Sequence, residues 1–218
     1  MLIESVVGRV QGKLSNAVTS LLRLTATQSL AVAQFEAEGD EATRAGARFV
    51  MSSAAATGIA PVQALPTTAA QWLIYNPAAN SNVVWLDVVG MLLNSGTAGA
   101  GAVVLMGLCG STQLPSTRPA VSAAGIVLSN ANPRSSKTSQ LIVASGQTLA
   151  ASPGWSPLAQ MSTAGTILGQ TIAEQRDVKG RIALAPDSGL ALVVISPTGT
   201  TPLFAPYATY REYASDTE

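Results

Sequence analysis

The sequence predicts an all-β chain, a jelly-roll-like β-sandwich preceded by an N-terminal arm. Three observations carry this expectation. Short runs rich in Val, Leu and Ile recur after Ala70, each ended by Pro, Gly, Asn or Ser, the pattern of a sandwich. Only 11% of the 218 residues are charged, where an ordinary domain has about 25%. Hydrophobic residues make up 47% and aromatics only 5%, so the apolar content is Ala, Val and Leu interleaved with Ser, Thr and Gly. Many of the runs are apolar on both faces, which suits a sheet buried on both sides inside an oligomer.

Charge placement divides the chain. Residues 1–48 hold Glu4, Arg9, Lys13 and Arg23, then Glu36, Glu38, Asp40, Glu41, Arg44 and Arg48. This segment reads as an arm or docking segment. Val6, Val10, Leu14, Val18, Leu21 and Leu22 recur at helix-like intervals, but Gly8 and Gly12 weaken a helix and Val6-Val7 suits a strand equally well. Leu21, Leu22 and Leu24 are the candidate interface residues, because exposed leucines gain by burial against another surface. Residues 49–70 read as a linker, where Pro61 and Pro66 block a continuous helix and Ala, Thr and Ser supply no packing face. Residues 71–218 form the sandwich.

Within the sandwich, Gln71–Tyr75 reads as a strand closed by Asn76-Pro77. Asn82–Leu93 reads as a long strand ended by Asn94-Ser95-Gly96, and Ala100–Leu108 as the next. Ile126–Leu128, Gln140–Val143 and Thr166–Ile172 are weaker strands. Arg181–Ala185, Pro186-Asp187-Ser188-Gly189 and Leu190–Ile195 read as a β-hairpin, with proline pre-setting the turn and glycine taking a positive φ. The last strand, Tyr207–Tyr213, puts Tyr207, Thr209, Arg211 and Tyr213 on one face and Ala208, Tyr210 and Glu212 on the other.

Composition removes several functional classes. Twelve basic and twelve acidic residues leave no electrostatic footprint for nucleic acid. The absence of histidine excludes Ser-His-Asp and Cys-His chemistry, and a single cysteine, Cys109, excludes a cysteine zinc site. Cys109 follows an apolar run and reads as a buried, inert thiol. Glu4 stands where a secretory signal would be basic, and Ala98–Cys109 is too short and glycine-rich to span a membrane. The expectation is a cytosolic product with no cofactor and no metal.

The residues that could carry chemistry have plainer explanations. Asp87 is the lone acid of a neutral stretch; glycosidase chemistry needs two carboxyls, so it reads as a partner for Arg118 or for backbone amides. Glu36, Glu38, Asp40 and Glu41 lack the spacing of a calcium loop and read as a solvated segment paired with Arg44 and Arg48. The glycines from Gly96 to Gly110 lack a phosphate-loop lysine and read as turns and bulges. Trp72, Trp85, Trp155, Tyr207, Tyr210 and Tyr213 could stack on sugars, but aromatics alternating along strands more often anchor cores and interfaces.

Three segments give the chain a family likeness: Glu4-Ser5-Val6-Val7-Gly8-Arg9-Val10-Gln11-Gly12-Lys13, then Asn76-Pro77 with Val83-Val84-Trp85-Leu86-Asp87-Val88, then Ile182–Ala191 followed by Tyr210-Arg211-Glu212-Tyr213. With these the chain resembles tailed-bacteriophage virion structural proteins that carry a C-terminal jelly roll. The resemblance implies a homotrimeric or otherwise symmetric shell or tail component, without enzymatic activity, assembled in the host cytoplasm into the virion. Its expected partners are the major capsid protein or another virion protein and further copies of itself, with neither nucleic acid nor membrane. A capsid cement or decoration protein is the leading expectation. The alternative is a tail, neck or baseplate fibre component whose sandwich binds a host-surface glycan.

Overall fold

Alternation with period two sets the elements of this protein, and long-range pairing arranges them. The computed structural model describes residues 40–54, 57–163, 165, 167–168 and 173–214. A short helix, α1 (Asp40–Arg44), leads into β1 (Arg48–Ser53). There follow β2 (Ala69–Asn76), β3 (Asn82–Ala98), β4 (Gly101–Cys109), β5 (Ile126–Asn130) and β6 (Ile142–Thr148). The chain continues through β7 (Ser156–Thr163), β8 (Ile167–Leu168), β9 (Ala173–Leu184), β10 (Ser188–Ile195) and β11 (Thr200–Ala214).

The pairing is nested. β1 pairs with β11, β2 with β10, β3 with β9 and β4 with β7, all antiparallel. This is one long hairpin, folded back between β4 and β7 and rolled so that β11 also pairs with β3 and β10 with β4. The product is two antiparallel sheets, β5-β1-β11-β3 with β8 and β9 in tandem along the far side of β3, and β6-β2-β10-β4-β7. That nested order is a jelly roll, the fold class expected from the sequence. β5 and β6 are insertions at the fold-back, and they extend the two sheets beside β1 and β2.

The core fills the space between the sheets. Trp72, Ile74, Leu86, Met91, Leu93, Leu105, Leu184, Leu192, Phe204 and Tyr210 are all buried there. Trp72 satisfies its indole N–H on the carbonyl of Phe204, 3.2 Å away. Phe49 and Tyr210 are cross-strand partners whose rings stack with centroids 5.7 Å apart. Alternation along β11 runs as expected, with Ala208, Tyr210 and Glu212 buried and Arg211 and Tyr213 on the outer side.

Four expectations are corrected here. The linker over 49–70 is not a separate segment, because Phe49 and Met51 are buried core residues of β1. Its remainder is pinned too: Ile59 exchanges backbone hydrogen bonds of 2.9 Å with Phe204, and Val62 N–H donates to Val194 O at 3.0 Å. The chain divides into a unit Met1–Glu41 and a unit Ala42–Glu218, so the body begins well before residue 71. Residues 1–39, with Leu21, Leu22 and Leu24, lie outside the described residues.

The hairpin around Pro186 is instead a corner between sheets, since β9 belongs to one sheet and β10 to the other. Ser188 N–H donates to Ala185 O at 3.1 Å, closing a turn with Pro186 second and Asp187 third. Asp187, not Gly189, takes the positive φ of 54° that such a proline turn requires. β3 also runs past Asn94 to Ala98, because Asn94 is buried and its amide donates to Ser53 Oγ at 3.0 Å and Thr57 O at 2.6 Å. Finally, the apolar outer face of β2 and β10 is covered by the chain itself. Leu73, Tyr75 and Ala191 pack with Leu114 and Leu149 from the inserted loops, and Trp155 donates to Pro66 O at 2.8 Å across them.

Candidate functional site

Three polar clusters stand out, each built by strand geometry. The first lies on the outer face of β3 and β11. Asp87 Oδ1 accepts from Arg211 Nε at 3.0 Å and Nη2 at 2.7 Å, and Arg48 Nε lies 4.0 Å from Oδ2. β9 breaks register opposite Asp87, between the pairs Leu86–Ile182 and Val88–Asp177, so residues 178–181 bulge. Gly180, in that bulge, approaches so closely that a Cβ there would sit 3.0 Å from Arg211 Nη2. This cover leaves the Asp87 and Arg211 side chains only 14% and 18% exposed. Asp87 is thus an ion-pair residue, and its partners are Arg211 and Arg48 rather than the expected Arg118.

The second cluster fastens the proline corner. Arg118 grips Asp187 through Nε at 2.9 Å and Nη2 at 3.2 Å, and the Tyr75 hydroxyl donates to Oδ1 at 2.9 Å. The Arg118 hydrogen bond and then the Tyr75 hydroxyl hold the Asp187 carboxyl below its ordinary value. The same aspartate, after burial, raises the Tyr75 phenol, and its hydrogen bond raises Arg118. The cluster ties the loop after β4 to the end of the second sheet, next to a small cleft lined by Leu73, Leu114, Leu149 and Ala191.

The third cluster is one that the sequence reading missed. Tyr210 donates to Ser139 Oγ at 2.8 Å, and Ser139 Oγ donates to Glu212 Oε1 at 2.5 Å. Burial raises the Glu212 carboxyl, opposed by hydrogen bonds from Ser139, the Gln140 backbone and the Asn82 side chain. Burial likewise pushes the Tyr210 phenol well up. A hydroxyl beside an oriented carboxylate has the outline of a nucleophile and its base. However, Ser139 Oγ also accepts from Leu141 N–H at 3.1 Å, so both of its acceptor positions are filled. The cluster is a closed hydrogen-bond relay that satisfies a buried acid. The available signal was position: Glu212 shares the inward face with Ala208 and Tyr210.

The remaining candidates are structural or lie outside view. Asp40 and Glu41 fall in α1, whereas Glu36 and Glu38 lie outside the described residues. Cys109 ends β4, and its side chain is also outside the described residues. Among the described residues no three His, Cys, Asp or Glu converge, and no helix is long and apolar enough to cross a membrane. Trp72 and Tyr210 are core residues and Trp155 is half-buried, while Trp85 and Tyr213 are exposed.

These features define a jelly-roll β-sandwich with locked polar clusters and an aromatic- and arginine-bearing outer face. The chain matches no family model, and no curated protein or solved structure is significantly similar to it.

Proposed function

We propose that the protein is a non-enzymatic virion structural component of the capsid cement or decoration type. It binds the coat, and further copies of itself in a homotrimer, through symmetric protein–protein contacts. One observation carries the reading. Of the five large hydrophobic side chains exposed among the described residues, Leu65, Trp85, Val121 and Val127 come from the stretch between Phe49 and Pro133, whose only charges are Asp87 and Arg118. Val121 is 76% exposed in the loop before β5, and Val127 projects from β5 itself. β5 is a sheet-edge strand without a charged residue, and soluble proteins ordinarily guard such edges with lysine, proline or charge. Apolar side chains in this setting favour burial against a partner.

The test is location. Labelled protein in purified particles is expected at regularly repeated positions on the head, and Val121→Asp with Val127→Asp is expected to prevent incorporation without unfolding the sandwich. Absence from purified particles overturns the reading, as does a monomer both in solution and on the particle.

A further inference from the structure

The outer face of the first sheet carries a second surface, which shares only Trp85 with the coat-binding reading. Trp85 and Tyr213 project from it at 39% and 41% exposure. Trp85 stands opposite Arg211 on β11 and Ala183 on β9, and Tyr213 stands opposite Val83, so the two aromatic side chains flank Arg211. The platform is preorganised: Arg211 is held by Asp87, and Trp85 lies beside Gly180. Arg181, exposed on the same face as Ala183, makes no ion pair with the described residues. Lys179 is taken up by Asp177 at 3.8 Å, and Arg48 and Arg211 share Asp87. Among the described residues, these four cations against two carboxylates leave the face with two positive charges in excess.

We propose that this face binds a saccharide bearing a carboxylate, with a uronic-acid pyranose as the simplest unit. The C–H face of a pyranose packs on an aromatic ring, whose π face is electron-rich. Arg181 offers a planar fork of donors matched to a carboxylate. A protein hot spot sits inside a ring of contacts that exclude water. The neighbours of Trp85 on this face are Arg211, Asp87, Arg181 and Ala183, and these charged groups favour a polar, hydroxylated ligand. The proposal does not depend on the coat-binding reading, so each can fail alone.

The experiment is calorimetric titration of the full chain with tetragalacturonate and, in parallel, with neutral maltotetraose. Saturable binding of the charged tetramer is expected, weakened about tenfold or more by Trp85→Ala and by Arg181→Ala. Both variants should melt as the parent does, and Leu65→Ala should bind as the parent does. No saturable binding, equal binding of the neutral tetramer, or undiminished binding by Trp85→Ala overturns the proposal. Loss of particle incorporation in Trp85→Ala, with no saccharide bound by the parent chain, assigns the face to a protein partner and overturns it as well.

Discussion

Arg211 directs both Nε and Nη2 at the same oxygen of Asp87, 3.0 and 2.7 Å away, across the two longest strands of the sandwich. The pair is mostly hidden from water, so its charges are less screened than those of a surface bridge. Losing one partner strands the other, which costs more than the pair contributes. Asp87→Asn is therefore expected to lower stability by about 1.5–3 kcal/mol in urea unfolding, the range for hydrogen bonds to charged groups. It is expected to alter no catalytic activity. Unchanged stability would show that water replaces the contact.

Two glycines test the close backbone approaches. Gly180 holds a φ of 70°, and its Cβ position crowds Arg211. Gly180→Ala is expected to cost about 1–2 kcal/mol from the left-handed backbone alone. At Gly199 an added Cβ would collide with the carbonyl of Thr97, where backbone must move. Gly199→Ala should therefore lower the melting temperature more than Gly180→Ala. The reverse order would mean that the turn after β10 yields more easily than the bulge in β9.

Two carboxyls should give opposite slopes in the dependence of stability on pH. Burial raises Glu212, so between its ordinary value and its raised one the folded state holds more proton than the unfolded chain, and stability falls as pH rises through that window. Arg118 and Tyr75 lower Asp187, so its contribution is present above the ordinary value of 3.8 and is lost as pH falls below it. Glu212→Gln should flatten the first slope. Asp187→Asn should flatten the second while keeping the turn, since asparagine tolerates positive φ. The Asp187 effect should reach at most about 1 kcal/mol, because its side chain is 44% exposed and solvent screens it. Thermal melts across pH decide both.

Truncation tests where the body begins. A chain starting at Ala42 keeps every residue of both core clusters and is expected to give a cooperative, β-rich fold. One starting at Ala54 loses Phe49 and Met51, each worth roughly 1.5–3 kcal/mol when buried, and should melt far lower or aggregate. Circular dichroism distinguishes them. Unfolding of the Ala42 chain would show that the preceding residues contribute to the core.

What the sequence determined by itself was local. Period-two patterning and turn residues located β2, β4, the start of β3 and the facing of β11, because side-chain alternation and the steric rules of Pro, Asn and Gly act within a few residues. Charge placement marked Asp87 as the lone acid of a neutral stretch, and residue type marked Trp85 and Tyr213 as core or interface anchors. Only the tertiary structure decided which strands pair, since nested pairing joins β1 to β11 across most of the chain. The strand of Phe49 and Met51 read as linker because its neighbours are small and polar, and the burial of those two side chains depends on a partner strand that local pattern cannot name. For the same reason Pro186-Asp187 read as a hairpin and proved to be a corner, as its turn chemistry serves either arrangement. The partner of Asp87 and the Tyr210–Ser139–Glu212 relay were likewise set by closure of the sheets, which brings together residues far apart in the chain.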